Sequence, residues 1–180
     1  MTSEFFNYLS GQNNCSISEV SSFKKNGLPE NLLTPDRKLL WLSDIGLPHH
    51  ITFDLTDLRA RPATFKTFGF DCWHDLGSNP ATLELHVSPN NDNFVAWTAF
   101  TAKQQAGIQL FETDPIPHCY NFIKIVITST FGENRTYSNQ FFLFKESLAE
   151  IDSKSQQGDV KNGLPNENFV NFSGRPTDTQ

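Results

Sequence analysis

The sequence predicts an all-β domain, an antiparallel β-sandwich with extended polar segments at both ends of the chain. The 180 residues include 17 Phe and a single Met, and aromatic residues favour strands over helical bundles. Short apolar runs alternate with polar residues and are separated by polar connections rich in Asn, Gly and Pro. No helical pattern of about 10–15 residues alternates with these runs, which argues against a parallel α/β sheet.

The predicted strands follow one another from residue 49 to residue 144. The first run places Ile51, Phe53 and Leu55 on one face, as a half-buried strand does. Later runs repeat this alternation and are bounded by turn residues. They cover residues 49–55, 61–74, 81–87, 94–100, 108–111, 121–128 and 137–144. Seven or eight short strands of this kind predict an antiparallel sandwich or barrel.

The apolar residues also predict how the chain is divided. Residues 1–19 are expected to form an N-terminal arm, residues 20–145 the sandwich, and residues 146–180 an extended polar tail. The tail is rich in Ser, Gln, Asn, Gly and Asp, so it buries too little apolar surface to offset its ordering entropy alone. Its spaced apolar residues Leu164, Phe169 and Phe172 suit a segment that orders on binding a partner.

Charge and composition exclude several classes of function. The net charge of −6 and pI of about 5.3 offer no basic surface for nucleic acid. No run approaches the ~18 apolar residues of a membrane span. The N-terminus lacks the features of a secretory signal, and three cysteines are an odd, low count. We therefore expect an intracellular, cytoplasmic protein with free thiols.

Four segments resemble one known superfamily in their order. They read "WLSD" followed by "LPHHITFDL", then "LELHVSPNNDNFVAW", "FIKIVI" and "TYSNQFFLF". The chain resembles the galactose-binding-like β-sandwich superfamily, which includes discoidin (coagulation factor 5/8 type C), Doc and SUN-like domains. This resemblance implies a jelly-roll sandwich in which the last strand lies close to the first.

The resemblance also implies where a ligand would bind. In this superfamily carbohydrate, lipid or peptide ligands sit on loops at one end of the sandwich, which here correspond to residues 44–50, 73–80 and 131–137. Aromatic rings and hydroxyl-binding side chains suit a sugar. The candidates are Trp41, Asp44, His49, Trp73, His74, Asn134 and Arg135, and packing in the core is the alternative for both tryptophans.

Neither a metal site nor a catalytic site is expected. Cys72, His74, His118 and Cys119 have the ligand types of zinc, but their spacing is not that of a zinc site. The chain has no nucleophile elbow, phosphate loop or zinc-protease motif. We therefore expect a protein without cofactors and without enzymatic activity.

Two hypotheses about function follow from the resemblance. The first is a non-enzymatic, protein-binding subunit of a larger intracellular assembly, with a ciliary or microtubule-associated setting suggested by fold analogy. Its contacts would be the end loops together with Leu164, Phe169 and Phe172. The alternative is a carbohydrate-binding module that uses the loop end of the sandwich, with Trp73, His74 and Arg135 in the pocket.

Overall fold

In a computed structural model of the protein, the described residues are 5–72, 74, 76–156 and 169–172. Two 3₁₀ turns lie at Gly11–Asn13 and Pro29–Leu33. The remaining elements, in chain order, are β1 (Ser16–Val20), β2 (Trp41–Leu42), β3 (His49–Asp54), β4 (Thr64–Cys72), β5 (Pro80–Ser88), β6 (Val95–Thr101), β7 (Gly107–Pro117), β8 (Phe122–Thr130), β9 (Tyr137–Ser138), β10 (Gln140–Phe144), α1 (Leu148–Gln156) and β11 (Phe169–Phe172).

The strands form two stacked sheets and a small ribbon. One sheet has five antiparallel strands in the order β1-β3-β8-β5-β6, and the other has four in the order β10-β4-β7-β11. Strands β2 and β9 make a separate antiparallel pair. The predicted antiparallel β-sandwich is therefore confirmed, and among the strands of the described residues only β11 pairs with its neighbour, β7, in a parallel direction.

The inner faces of the two sheets enclose a core that is dominated by phenylalanine. Phe68 stacks on Phe100 with ring centroids 5.0 Å apart and on Phe141 at 6.1 Å. Phe70 stacks on Phe111 at 5.8 Å. All five rings are at most 1% exposed. Each buried ring contributes about 1.5–3 kcal/mol relative to an exposed one, which explains why so many phenylalanines are found in the strands.

A second apolar cluster covers the outer face of the four-stranded sheet. It joins residues of β7 and β10 to the N-terminal segment and to α1, through Phe5, Ile108, Leu110, Phe142, Phe144, Leu148 and Ile151. Gly69 permits this packing, because a Cβ there would lie 2.5 Å from the Leu110 side chain. The predicted division at residues 19/20 and 145/146 stays a prediction.

The strand register defines two ends of the sandwich. His49 pairs with Ile127, and Cys72 pairs with Gly107, at one end. We call this the loop end, and it is formed by residues 43–48, 74, 76–79, 102–106 and 131–136. The opposite end is formed by residues 55–63, 89–94 and 118–121.

Candidate functional site at the loop end

Backbone hydrogen bonds tie the first and last loops of the loop end together. The amide of Gly46 donates to the carbonyl of Asn134 at 2.6 Å, and the amide of Ser43 donates to the carbonyl of Thr136 at 3.0 Å. The Thr136 amide in turn donates to Ser43 Oγ at 2.8 Å. Gly46 has a φ angle of +122°, a backbone conformation that residues with a side chain rarely adopt. These contacts fix the two loops side by side.

The middle loop is joined to the same structure. The amide of Glu133 donates to the carbonyl of Gly77 at 3.3 Å. Asn79, which is 1% exposed, donates through Nδ2 to the carbonyl of His74 in a short hydrogen bond. The three loops that the sequence singled out therefore lie together at one end of the sandwich.

This arrangement leaves several polar side chains at the surface. Asp44, His74 and Asn134 are exposed. Arg135 is half-buried, its Nε lies 3.7 Å from a Glu133 carboxylate oxygen, and its guanidinium lies over the Tyr137 ring at 5.6 Å. Carboxylate, amide, imidazole and guanidinium groups together can both donate and accept hydrogen bonds.

An apolar side chain stands among these polar groups. Ile45 is 72% exposed and lies between Asp44 and Gly46. Nearby in the same loop, Leu47 is 37% exposed. Small-ligand sites combine apolar surface with a few convergent polar groups, so this end has the composition of a ligand-binding surface. Ile45 was not among the residues predicted from the sequence, although an apolar residue directly before a glycine in a polar loop indicates an exposed apolar side chain.

His49 lies beneath the loops and is 3% exposed. Its Nδ1 is 3.3 Å from Ser21 Oγ. Burial lowers the pKa of His49, while the backbone of Asn134 and of Asp44 acts in the opposite direction. The side chain therefore supports the loops from below and is not available at the surface for a ligand, which corrects its place among the candidates.

Trp41 also requires a correction. It is completely buried, and its Nε1 donates to the carbonyl of Ser22 at 2.9 Å. An indole that is enclosed on all sides has no face to offer a ligand, so Trp41 packs the core. This was the alternative that the sequence left open for it.

Other candidates lie wholly or partly outside the described residues. Trp73 and Leu164 lie outside the described residues. For Phe169 and Phe172 only the backbone is described, and it pairs in register with Ile108 and Phe111 of the same chain.

Two further observations concern metals and membranes. Among residues 5–72, 74, 76–156 and 169–172, no three His, Cys, Asp or Glu side chains are grouped as metal ligands would be.

Within the same part of the chain, none of the helices has the length and apolar character needed to span a membrane.

Several solved structures that resemble the chain are carbohydrate-binding modules. CpGH89CBM32-5 from Clostridium perfringens, in complex with GalNAc-β-1,3-galactose, has a TM-score of 0.61 and 16% identity over 74% of this chain and 96% of that one. The family 32 module of NanJ from C. perfringens, in complex with galactose, has a TM-score of 0.59 and 13% identity over 74% and 95%. The CBM32 of AlyQ, in complex with 4,5-unsaturated mannuronic acid, has a TM-score of 0.60 and 16% identity over 73% and 95%.

The structural likeness shows the fold. The chain has the galactose-binding-like β-sandwich fold, as the resemblance in its sequence implied. No family model and no curated protein matches the chain.

The first hypothesis about function is wrong. The structural neighbours are modules that bind sugars, and this finding favours the alternative over a protein-binding subunit of an intracellular assembly. It gives no support to a ciliary, axonemal or cytoskeletal setting.

Proposed function

We propose that the protein is a non-enzymatic carbohydrate-binding module that holds a neutral hexose, such as galactose, at the loop end. The observation that carries this proposal is the way the three loops are joined. Backbone hydrogen bonds join the loops to one another, and these loops carry the exposed Asp44 and Asn134 and the half-buried Arg135. A surface that is already ordered loses little conformational entropy when a ligand binds.

The side chains suit the chemistry of a sugar. Hydroxyl groups both donate and accept, so they need partners of both kinds. Asp44 accepts, Arg135 donates, and Asn134 does both. Ile45, at 72% exposed, offers apolar surface to the C–H face of a pyranose ring. The galactose and GalNAc-β-1,3-galactose complexes of two structural neighbours support galactose-type sugars as the first ligands to test.

The test is calorimetric titration with galactose, N-acetylgalactosamine and glucose. Asn134→Ala and Arg135→Ala should each weaken galactose binding about tenfold, since each removes hydrogen bonds to the sugar. Arg59→Ala is the matched control, because Arg59 is an exposed arginine at the opposite end. Saturable binding that Arg59→Ala leaves unchanged would support the proposal. The proposal fails if no sugar gives heat, or if all three variants weaken binding equally.

A further inference from the structure

A concave surface lies away from the loop end, between the start of β4 and α1. It is a groove of about 380 Å³, within the ~300–1,000 Å³ typical of small-ligand sites. Residues 62–64 form one wall, and the charged side chains around it are Lys66, Lys145, Glu146, Glu150 and Lys154. Thr64 pairs with Pro117, the last residue of β7, so the groove lies toward the opposite end.

Glu146 is a buried carboxylate in the lining of this groove. Its side chain is 6% exposed, and its carbonyl accepts a hydrogen bond from Thr67 Oγ1 at 2.7 Å. Oε2 lies 3.7 Å from Lys154 Nζ, which is beyond hydrogen-bond distance. In the part of the chain that the structure describes, no group donates to Oε1, although this atom is buried. A buried acceptor without a donor is costly, and a ligand that donates to it removes that cost.

The other charged side chains around the groove are mostly basic. With Glu146 included, three lysines and two glutamates line the groove, which gives it a net charge of +1. Glu150 is already engaged, because its Oε1 accepts from the Ser147 amide at 3.0 Å and Ser147 Oγ accepts from the Glu150 amide at 3.2 Å. This reciprocal cap belongs to α1. Lys154 lies near the Glu146 carboxylate and over the Phe5 ring, 5.5 Å from its centroid. The lysines left for an anion are Lys145 and Lys66. The hydrogen bonds with Ser147 lower the pKa of the Glu150 carboxyl most, and Lys66 lies close enough to lower it further.

We propose that this groove binds a hydroxyl-bearing carboxylate, the uronic acid unit of an acidic saccharide. A ring hydroxyl donates to Glu146 Oε1, and the sugar carboxylate pairs with Lys66 and Lys145. A neutral hexose leaves the lysines without a partner, and a simple carboxylate offers no donor to Glu146. The groove is separate from the loop end, so this site does not depend on the proposed hexose site.

Amide chemical shifts measured during titration test this site and locate it. The probes are sodium D-glucuronate, D-glucose with hydroxyls alone, and sodium acetate with a carboxylate alone. Glucuronate should give saturable shifts at residues 62–66 and 145–150, and the other two should not. The proposal is overturned if these residues do not shift, if acetate shifts them equally, or if the shifts fall only on residues 44–46 and 133–136.

Variants separate a ligand site from a structural charge cluster. The double change Lys66→Ala with Lys145→Ala should weaken glucuronate binding about tenfold, whereas Lys25→Ala, an exposed lysine elsewhere, should not change it. Glu146→Gln should weaken binding severalfold because it replaces one acceptor oxygen with a donor. If Glu146→Gln lowers the melting temperature but leaves glucuronate affinity unchanged, Glu146 is structural and the proposal fails. Arg135→Ala changes the loop end and should leave glucuronate binding in the groove intact. A failure of the hexose proposal can therefore be told apart from a failure of this one.

Discussion

The two ends of the sandwich hold their loops in different ways. At the opposite end backbone bonds run from the Leu55 amide to the Asn121 carbonyl at 2.7 Å and from the His118 amide to the Ala63 carbonyl at 3.1 Å, and one side chain adds four further hydrogen bonds. Arg61 Nη1 donates to the Leu55 carbonyl at 2.8 Å and to Asn121 Oδ1 at 2.9 Å. Its Nη2 donates to the carbonyls of His118 at 2.6 Å and Tyr120 at 3.2 Å. Both Nη atoms of the guanidinium are therefore occupied in holding the loops.

At the loop end the backbone makes most of the connections. Amide-to-carbonyl bonds join Gly46 to Asn134 and Glu133 to Gly77. The side chains of Asp44 and Asn134 remain exposed. The difference between the ends therefore lies in their side chains: the opposite end commits a guanidinium to holding its loops, whereas the loop end keeps Asp44 and Asn134 exposed, where a ligand can meet them.

The largest effect is expected at the opposite end. Arg61→Ala removes four hydrogen bonds, three of them to backbone carbonyls, so it should lower the free energy of unfolding by about 2–4 kcal/mol. Urea denaturation measures this change, and Arg59→Ala is the neighbouring control. A loss below about 0.5 kcal/mol, the size of an ordinary surface change, would contradict the role assigned to Arg61. Galactose affinity of the folded variant should be unchanged.

The next effect couples stability to binding at the loop end. Asn79→Ala leaves the His74 carbonyl without its donor and should lower the free energy of unfolding by about 1–2 kcal/mol. It should also weaken galactose binding, because the loop that carries His74 loses one of the hydrogen bonds that hold it, while the bond from Glu133 to Gly77 remains. Denaturation and calorimetry on the same preparation measure both. Reduced stability with full affinity would show that this loop does not contribute to the site.

A smaller effect is expected from pH. Burial depresses the pKa of His49 below its ordinary value of about 6.5, so the unfolded chain takes up the proton first as pH falls. Stability should therefore fall as pH drops through about 6.5 and should level off below the folded pKa. His50 adds to this in the same direction, since burial lowers its pKa as well.

Urea midpoints at about pH 7.5 and 5.5 measure this dependence. His49→Gln should reduce the difference between the two midpoints. His118→Gln, which changes an exposed histidine at the opposite end, should preserve it. Equal behaviour of the two variants would show that the buried histidine does not cause the pH dependence.

The smallest effect on stability is expected where the effect on binding is largest. Asn134→Ala and Arg135→Ala change side chains at the surface, and each should alter the free energy of unfolding by less than about 0.5 kcal/mol. Thermal unfolding of both variants beside the wild type measures this. A loss comparable to that of Arg61→Ala would mean that these side chains hold the loops, and the contrast between the ends would disappear.

Alternation in the sequence predicted the strands of the inner core but not the second apolar cluster. In β10 the residues Phe141 and Leu143 belong to the inner core, while Phe142 and Phe144 face the outer cluster. Such a continuous run signals burial on both faces, and it requires a cover. That cover includes α1, whose Ile151 lies in a segment that composition marked as polar tail.

The site was predictable in its location more than in its contacts. The resemblance to the superfamily placed three loops at one end, and the antiparallel register of the strands brings them there. The sequence did not reveal that Trp41 would be enclosed or that the Ser43 hydroxyl would receive the Thr136 amide. The Ser43–Thr136 bond joins residues 93 positions apart in the chain, and Trp41 lies in β2, where it pairs with Ser138 of β9.

The most direct test of the account is a crystal structure of the protein with a galactoside, in a lattice that leaves both ends of the sandwich free. The account predicts a pyranose ring at the loop end, with hydroxyls bonded to Asn134 and Arg135 and the loop backbone unchanged. A ring bound at the opposite end beside Arg61, or a loop end that stays empty at saturating sugar, would contradict it.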